Sequence, residues 1–482
     1  MNSLLRLLRG GLRHDLWCVE TSRALAAFAA LLASVGCVGT PTASERAARS
    51  DVRDVSQRYR PGDAKPALPQ LDASSPLRDY LSFALLNSPR VEAAYFDWVA
   101  AVESIAPARS LPDPRLTFSY DIADTVMSLM PGLMVDLPGP GKLRAAGEIA
   151  AAESRSAYFG FERELLRAAL AVKSAYYRRH FLEETIRVQS ETLRLLTELE
   201  QLAAQQNAAG RVTLQDVLRA QIARDQVETQ ITNLMDSRSA LAAELKSALG
   251  LGPADQGPPV PSSFEPSLGE PQPDQLLETA LNRNPDLRAL EEDVLRAEGA
   301  LELARRSRIP DFSLGLEVDV KADPTLFRPL AAMSLPIWRD KIAARIAGAQ
   351  ASKRAAQARL TAEQVQVAAE LASMLFLYRE ALRNDALLRD KLVPKARQSL
   401  DAARAGYVNA RASFLDVIDA QRTLLDFELA GIEARTQREL ALASLSLAIA
   451  GVPPADAPGI EGGASRPSNA VAKKPSIEGI RP

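Results

Sequence analysis

Apolar and polar residues alternate along two short parts of this chain. Leu116, Phe118, Tyr120 and Ile122 share one face of a strand, and Leu133, Val135 and Leu137 share one face of its partner. A period of two is the mark of a half-buried sheet. The pattern returns as Phe312, Leu314, Leu316 and Val318, answered by Met333 and Leu335. Asp, Pro and Gly gather around Ala123 to Pro131 and Lys321 to Pro329, so turns are expected there. After each hairpin the period becomes helical. From Lys142 to about Asn207 there is no proline, and Leu182, Ile186, Leu193 and Leu196 recur at heptad-like spacing. A helix of roughly 66 residues would be about 100 Å long. Its counterpart runs from about Asp340 to Asn409, with a kink expected at Pro394. Thr213-x-x-Asp216 and Ser413-x-x-Asp416 fit the capping-box pattern and start return helices that end near Gly250 and Gly451.

The plan is written twice. ALLNSPRV at Ala84 returns as ALNRNPDL at Ala280, SLPDPRLTF at Ser110 as RIPDFSLGL at Arg308, and VDLPGPGKLRAAGE at Val135 as MSLPIWRDKIAAR at Met333. GRVTLQDVLRAQ at Gly210 matches ARASFLDVIDAQ at Ala410, and ALGLGP at Ala248 matches AIAGVPP at Ala448. Matches in one order at a nearly constant offset indicate duplication. In each copy a helix opens at a capped proline, Ser88-Pro89 or Asn284-Pro285, and ends near Pro107 or Arg308. The expected organisation is a signal over 1–36, an N-terminal wrap over 37–75 and repeat 1 over 76–251. A linker over 252–274, repeat 2 over 275–454 and a disordered tail over 455–482 complete it.

The stretch Gly139-Pro140-Gly141-Lys142 raises the question of a phosphate loop. GxxxxGK[ST] needs glycine where Asp136 stands and Ser or Thr where Leu143 stands. Both fail. Pro138, Gly139, Pro140 and Gly141 instead stop a strand, and Lys142 starts the long helix, so the turn reads as a joint. Pro336 and Trp338 occupy the same place in the second copy; the aromatic suits either a membrane interface or packing at the joint.

Composition narrows the function. An apolar fraction of 47% with 24% charge and 5% aromatics favours long helices, and a net charge of −2 offers no field for nucleic acid. Arg6, Arg9, Arg13 and Arg23 precede the apolar run Ala24 to Gly36 and then Cys37, an export signal. The small residues before Cys37 resemble a bacterial lipoprotein signal, which implies acylation of that cysteine. Beyond Gly36 no apolar run is long enough for a transmembrane helix. His14 and His180 are the only histidines, and no nucleophile motif is present. Neither an enzyme nor a bound cofactor is expected.

Four strands cannot close on themselves, and an open sheet in lipid leaves backbone groups unpaired. Two chains would give eight strands and a filled interior, three would give twelve and a pore. The expected fold is therefore mainly α with a small β part: a trimeric 12-stranded transmembrane β-barrel continued by an α-helical barrel.

NSPRV with NRNPDL, LPDP with IPDF, LPGPGKLRAA, and GRVTLQDVLRAQ with YVNARASFLDVIDAQRTL together resemble the outer-membrane efflux protein family, the TolC-like outer-membrane factors. The resemblance covers about Leu77 to Pro454, and LPGPGK resembles its cation-efflux branch. It implies a homotrimeric exit duct that docks a periplasmic adaptor bound to an inner-membrane pump of the RND type, for metal cations or drugs. Ala410 departs from the glycine usual at the second helix tip. Asp216 and Asp416 are read either as helix caps or as a ring of carboxylates around the inner end. Arg211 and Arg411 are either adaptor or gating contacts or solvated turn residues. Met127, Met130 and Met134 are either soft-metal contacts or packing. A lipid-anchored coiled-coil scaffold without transport is the competing function; lipid-facing hairpins argue against it.

Overall fold

The computed structural model describes residues 41–123, 126–259, 273–319, 325–409 and 411–449. In chain order these form α1 (Ala43–Tyr59), α2 (Leu77–Asn87), α3 (Pro89–Glu103), a single turn α4 (Ile105–Arg109), β1 (Arg115–Ala123) and β2 (Val126–Leu137). There follow α5 (Lys142–Ala208), α6 (Leu214–Ala248), α7 (Pro273–Arg283) and α8 (Pro285–Arg306), then β3 (Phe312–Asp319) and β4 (Leu326–Met333). The second long helix is divided into α9 (Arg339–Leu387) and α10 (Val393–Val408) by a π-turn, Leu388–Leu392, and α11 (Phe414–Ala448) returns. Cys37, the signal, Ala410 and the tail lie outside the described residues.

The chain forms two compact units, and neither follows a repeat. One gathers Phe96–Tyr158 and Ala289–Thr361 with the start of α1; the other gathers Ser50–Tyr95, Phe159–Arg288 and the chain from Ala362 onward. Among the described residues, no helix is long and apolar enough to cross a membrane.

In the first unit the two hairpins share one antiparallel sheet, ordered β1-β2-β3-β4. The strands are longer than the alternation suggested. β2 begins at Val126 and β4 at Leu326, so Pro131 and Pro329 lie within strands rather than in turns. Both are tolerated for one reason, that proline cannot donate to a ladder. Pro329 sits on the edge strand β4, and Pro131 lies just past Gly132↔Glu317, where the β2–β3 ladder ends. Leu116↔Leu133↔Leu316 and Val135↔Leu314 run across one face. Thr117↔Gly132↔Glu317↔Arg328 runs across the other.

α1 was not foreseen in the wrap. Thr42 Oγ1 accepts the Glu45 N–H at 3.1 Å, capping the helix. The Glu45 carboxylate, only 1% exposed, takes bonds from Arg109 and from Arg49, which also reaches Glu103 at 2.8 Å. The Arg109 bond, working against burial, holds the Glu45 carboxyl below the usual range.

The second unit is held by helix packing. Leu77, Tyr80, Leu81 and Ala84 of α2 pack on Val172, Ala175, Tyr176 and Tyr177 of α5 and on Leu245 and Leu249. Asn87 Nδ2 donates to the carbonyls of Leu249 and Gly250 at 3.1 Å each, and Asn284 Nδ2 to Ala448 O at 3.4 Å, so in both repeats the return helix ends beside the helix start, Ser88-Pro89 or Asn284-Pro285. The Asn284 cap itself is realised, its Oδ1 accepting the Asp286 N–H at 2.8 Å. The expected kink takes the form of the π-turn immediately before Pro394. Widening the helix by one residue relieves the clash of the proline ring with the carbonyl four residues earlier.

Candidate functional site: the strand-to-helix joint and the helix tips

At the joint the Gly-Pro-Gly turn cradles a carboxylate of the same chain. The Gly139 N–H donates to Asp311 Oδ1 at 2.6 Å, and Lys142 Nζ reaches the same oxygen at 2.7 Å. Burial opposes ionisation of Asp311, yet the Lys142 and Gly139 bonds prevail and its carboxyl titrates below the usual range. Gly141 has φ +79°, and Arg306 Nη1 crosses it to Pro140 O at 3.0 Å. A Cβ at Gly139 would lie 2.6 Å from Pro310 O. The joint thus binds LPGPGK of repeat 1 to IPDF of repeat 2, two motifs that the sequence presents separately. Pro138 is half-buried. In the second joint Pro336 is half-buried and Trp338 is 69% exposed; Trp338 O accepts the Ile342 N–H at 3.2 Å in the first turn of α9.

Of the two faces of the sheet, one is apolar and bare, with Leu116 at 65% and Phe118 at 57% exposure. The other is a hydrogen-bonded polar surface. Asp136 takes Arg115 at 2.7 Å and the Ser313 hydroxyl at 2.6 Å, Arg328 meets Asp319 at 3.3 Å, and Ser119 Oγ donates to Glu317 at 2.6 Å. Glu317 reaches across β2 to do so. Gly132 makes this possible, since a Cβ there would lie 2.6 Å from Glu317 Cγ. Met130 is buried and Met134 partly so; Met127 lies on β2 with its side chain outside the described residues. Among the described residues, no group of His, Cys, Asp and Glu is arranged to hold a metal.

The helix tips belong to the second unit. At the first, Gly210 (φ +70°) closes α5 with two bonds, its own N–H to Asn207 O and the Arg211 N–H to Gln206 O, both 2.9 Å. The Thr213 N–H and hydroxyl both donate to Asp216 Oδ2, at 3.2 and 2.9 Å. At the second tip, the Ser413 N–H and hydroxyl donate to Asp416 Oδ2 at 2.8 Å each, and the Asp416 N–H returns to Ser413 Oγ at 3.2 Å. Those Ser413 bonds hold the Asp416 carboxyl below its ordinary range. Arg211 and Arg411 are exposed, with no side-chain bond to the described residues.

The fold brings the two tips together. Val217 and Phe414 share a core with Leu199, Ala203, Leu400 and Tyr407, and the Tyr407 and Phe414 rings meet edge-on at 5.6 Å. Tyr407, which the sequence did not single out, is buried with no hydrogen-bond partner for its hydroxyl among the described residues. Burial first, then the charge of Asp216, push its phenol above the usual value. Its heptad position was the available signal.

The model of the family described as "Outer membrane efflux protein" matches residues 80–251 and 276–451, one match to each repeat. The cobalt-zinc-cadmium resistance protein CzcC of Cupriavidus metallidurans is 25% identical over 380 residues, covering 74% of this chain and 86% of that protein. Two solved structures have the same fold. The outer membrane protein VceC of Vibrio cholerae has a TM-score of 0.67 at 19% identity, covering 77% of this chain and 95% of its own. CusC, whose crystal structures concern folding and transmembrane channel formation, has 0.69 at 18%, covering 80% and 97%. Two hairpins in one sheet, long paired helices and a match in both repeats carry one conclusion: the chain belongs to the outer membrane efflux protein family and is an outer-membrane efflux channel component that extends into the periplasm.

Proposed function

We propose that three copies pool their sheets into a twelve-stranded barrel and form a passive exit duct, with transport driven by an inner-membrane pump of the RND type through a periplasmic adaptor. The observation that carries this reading is the sheet: four strands, one apolar face, one polar face and two open edges among the described residues. In lipid such edges must be paired by other copies. Twelve strands leave an aqueous lumen, whereas eight would be filled by their own side chains. The polar surface of Asp136, Ser119 and Glu317 then faces the lumen, and Leu116 and Phe118 face lipid.

In this reading the tips form the inner aperture. Exposed Arg211 and Arg411 are the groups that an adaptor or a gating ion pair would use. Asp216 and Asp416 are occupied as caps, and their rings of charge are a secondary consequence. Cys37 is acylated and anchors the wrap, Trp338 lies at the membrane interface, and the chain performs no catalysis. Metal cations are the cargo, supported by the 25% identity to a cobalt-zinc-cadmium resistance protein.

Two measurements test the reading: ion conductance of purified protein in planar bilayers, and mass in detergent. Conductance from a species of three chains is expected. A stable monomer without conductance would instead favour a lipid-anchored scaffold.

A further inference from the structure

Within the second unit, α5, α10 and α11 enclose a cavity of about 630 Å³ that neither the joint nor the tips use. Its size is that of a small-molecule site. Every residue around it belongs to one chain, so the cavity does not depend on how many copies assemble. Val188, Leu400, Leu424 and Ile432 give it apolar walls. Gly431 leaves it open, since a Cβ there would meet only Leu388 Cβ at 3.9 Å.

Two polar groups in these walls are left incomplete. Gln421 is 3% exposed, its carbonyl has no hydrogen-bond partner among the described residues, and its amide reaches Thr192 Oγ1 only at 3.5 Å. A buried carbonyl without a donor is costly, and a ligand hydroxyl or N–H would satisfy it. The second group is Arg435, which is half-buried. The other arginines of the cavity each have a carboxylate: Arg187 meets Glu184 at 2.9 Å, Arg389 meets Asp390 at 2.9 Å, Arg397 meets Glu428 at 2.8 Å and Arg404 meets Glu198 at 3.6 Å. Arg435 has none within ion-pair reach among the described residues, and its Nε donates only to Gly431 O at 3.5 Å. Glu184 feels its charge, but Arg187 engages both Glu184 oxygens. Asp385, buried beside the same cavity, is held by Arg389 and Arg438. A cation is therefore free to take an anion from outside.

Gln421 and Arg435 are about 21 Å apart along α11. Asp401 lies at the Gln421 end, both being about two turns from the second tip. It is exposed and unpaired among the described residues, so it repels an anion there. We propose that the cavity binds an elongated amphiphilic anion, with its charged head on Arg435, its apolar body along Ile432, Leu424 and Val188, and a hydroxyl or N–H at its far end on the Gln421 carbonyl. Asp401 sets the orientation.

Titration calorimetry of the full-length protein in detergent tests the site with three probes of one chain length: 12-hydroxydodecanoate, dodecanoate and 1,12-dodecanediol. Partition into detergent is common to all variants and does not saturate with protein. The hydroxy acid should bind saturably, one per chain, and about tenfold more tightly than either dodecanoate, which lacks the donor, or the diol, which lacks the charge. Arg435→Gln should reduce its affinity to that of the diol, and Gln421→Leu to that of dodecanoate. Gly431→Leu fills the cavity at a helical position that favours leucine over glycine, so it should keep the melting temperature and abolish saturable binding of all three. Unchanged binding in Arg435→Gln and Gly431→Leu, or uptake in proportion to detergent alone, would overturn the site. Saturable binding that does not discriminate among the probes would overturn the ligand class. A detergent mass of one chain would overturn the three-copy reading and leave this site standing.

Discussion

Two glycines with left-handed backbones separate local strain from packing. Gly210, at φ +70°, has open space where a methyl would go, so Gly210→Ala should lose only the left-handed penalty, about 1 kcal/mol. At Gly141 the methyl would fall 2.0 Å from Arg306 Nη1. Gly141→Ala must therefore also dislodge Arg306 from Pro140 O, and it should destabilise the protein by more than Gly210→Ala in thermal melts. Glu45→Gln leaves Arg109 and Arg49 facing a neutral amide in a buried site, at a cost of about 3 kcal/mol. Tryptic cleavage at Arg46 should accelerate by about a hundredfold if it proceeds through local opening. Asp416 predicts a pH dependence whose sign follows from its lowered carboxyl. The cap's contribution is complete above the unfolded carboxylate value of about 4 and is lost as pH falls through the lower folded value. Exchange protection at the start of α11 should be flat from about pH 7 to 5 and drop below about 4; in Asp416→Asn it should show no acid step. The capping boxes were legible because they need only residues three apart. Asp311 was not, because its partners lie about 170 positions away and only the folded joint selects it from the other carboxylates.

At the scale of elements, the long helices were readable from periodicity and the absence of proline, and α5 spans 67 residues as expected within a residue at its end. The strand ends were not readable. Proline within a run is evidence for a turn unless the position is an edge or lies past the end of a ladder, and only the register establishes either. The seam of α5 holds a further surprise. Thr185, Gln189 and Thr192 continue the heptad spacing of Leu196, Leu199 and Ala203, all of them buried. Gln421 of α11 joins them, its Nε2 donating to Thr192 Oγ1 at 3.5 Å, while the Gln189 and Gln421 carbonyls lack partners among the described residues. Replacing both members of such a pair with apolar residues removes unsatisfied groups together. Thr192→Val with Gln421→Leu should raise the melting temperature of the helical part by a few degrees. A fall would mean that bound water completes the seam.

For the whole molecule, the expectation concerns cargo. If metal cations pass, expression in a strain lacking its own export duct, together with the cognate pump and adaptor, should restore growth on cobalt, zinc or cadmium. Growth on hydrophobic drugs should not change. The reverse pattern would assign the duct to drug export. Lumen electrostatics add a test in bilayers. Glu317 has no cation within ion-pair reach among the described residues, so Glu317→Gln should reduce cation preference at about 0.01 M salt, where screening extends over about 30 Å, and change little at 1 M.

By itself the sequence determined the duplication, the alternation of strand and helix periods, the caps and the family, because each is a pattern of neighbours or of repeated order. Only the tertiary structure decided that the two hairpins share one sheet, that LPGPGK closes on Asp311 and that the two tips meet around Tyr407. Those contacts join residues far apart in the chain. Composition and spacing constrain which groups are available to pair, but the choice among them is made by sheet register and helix packing.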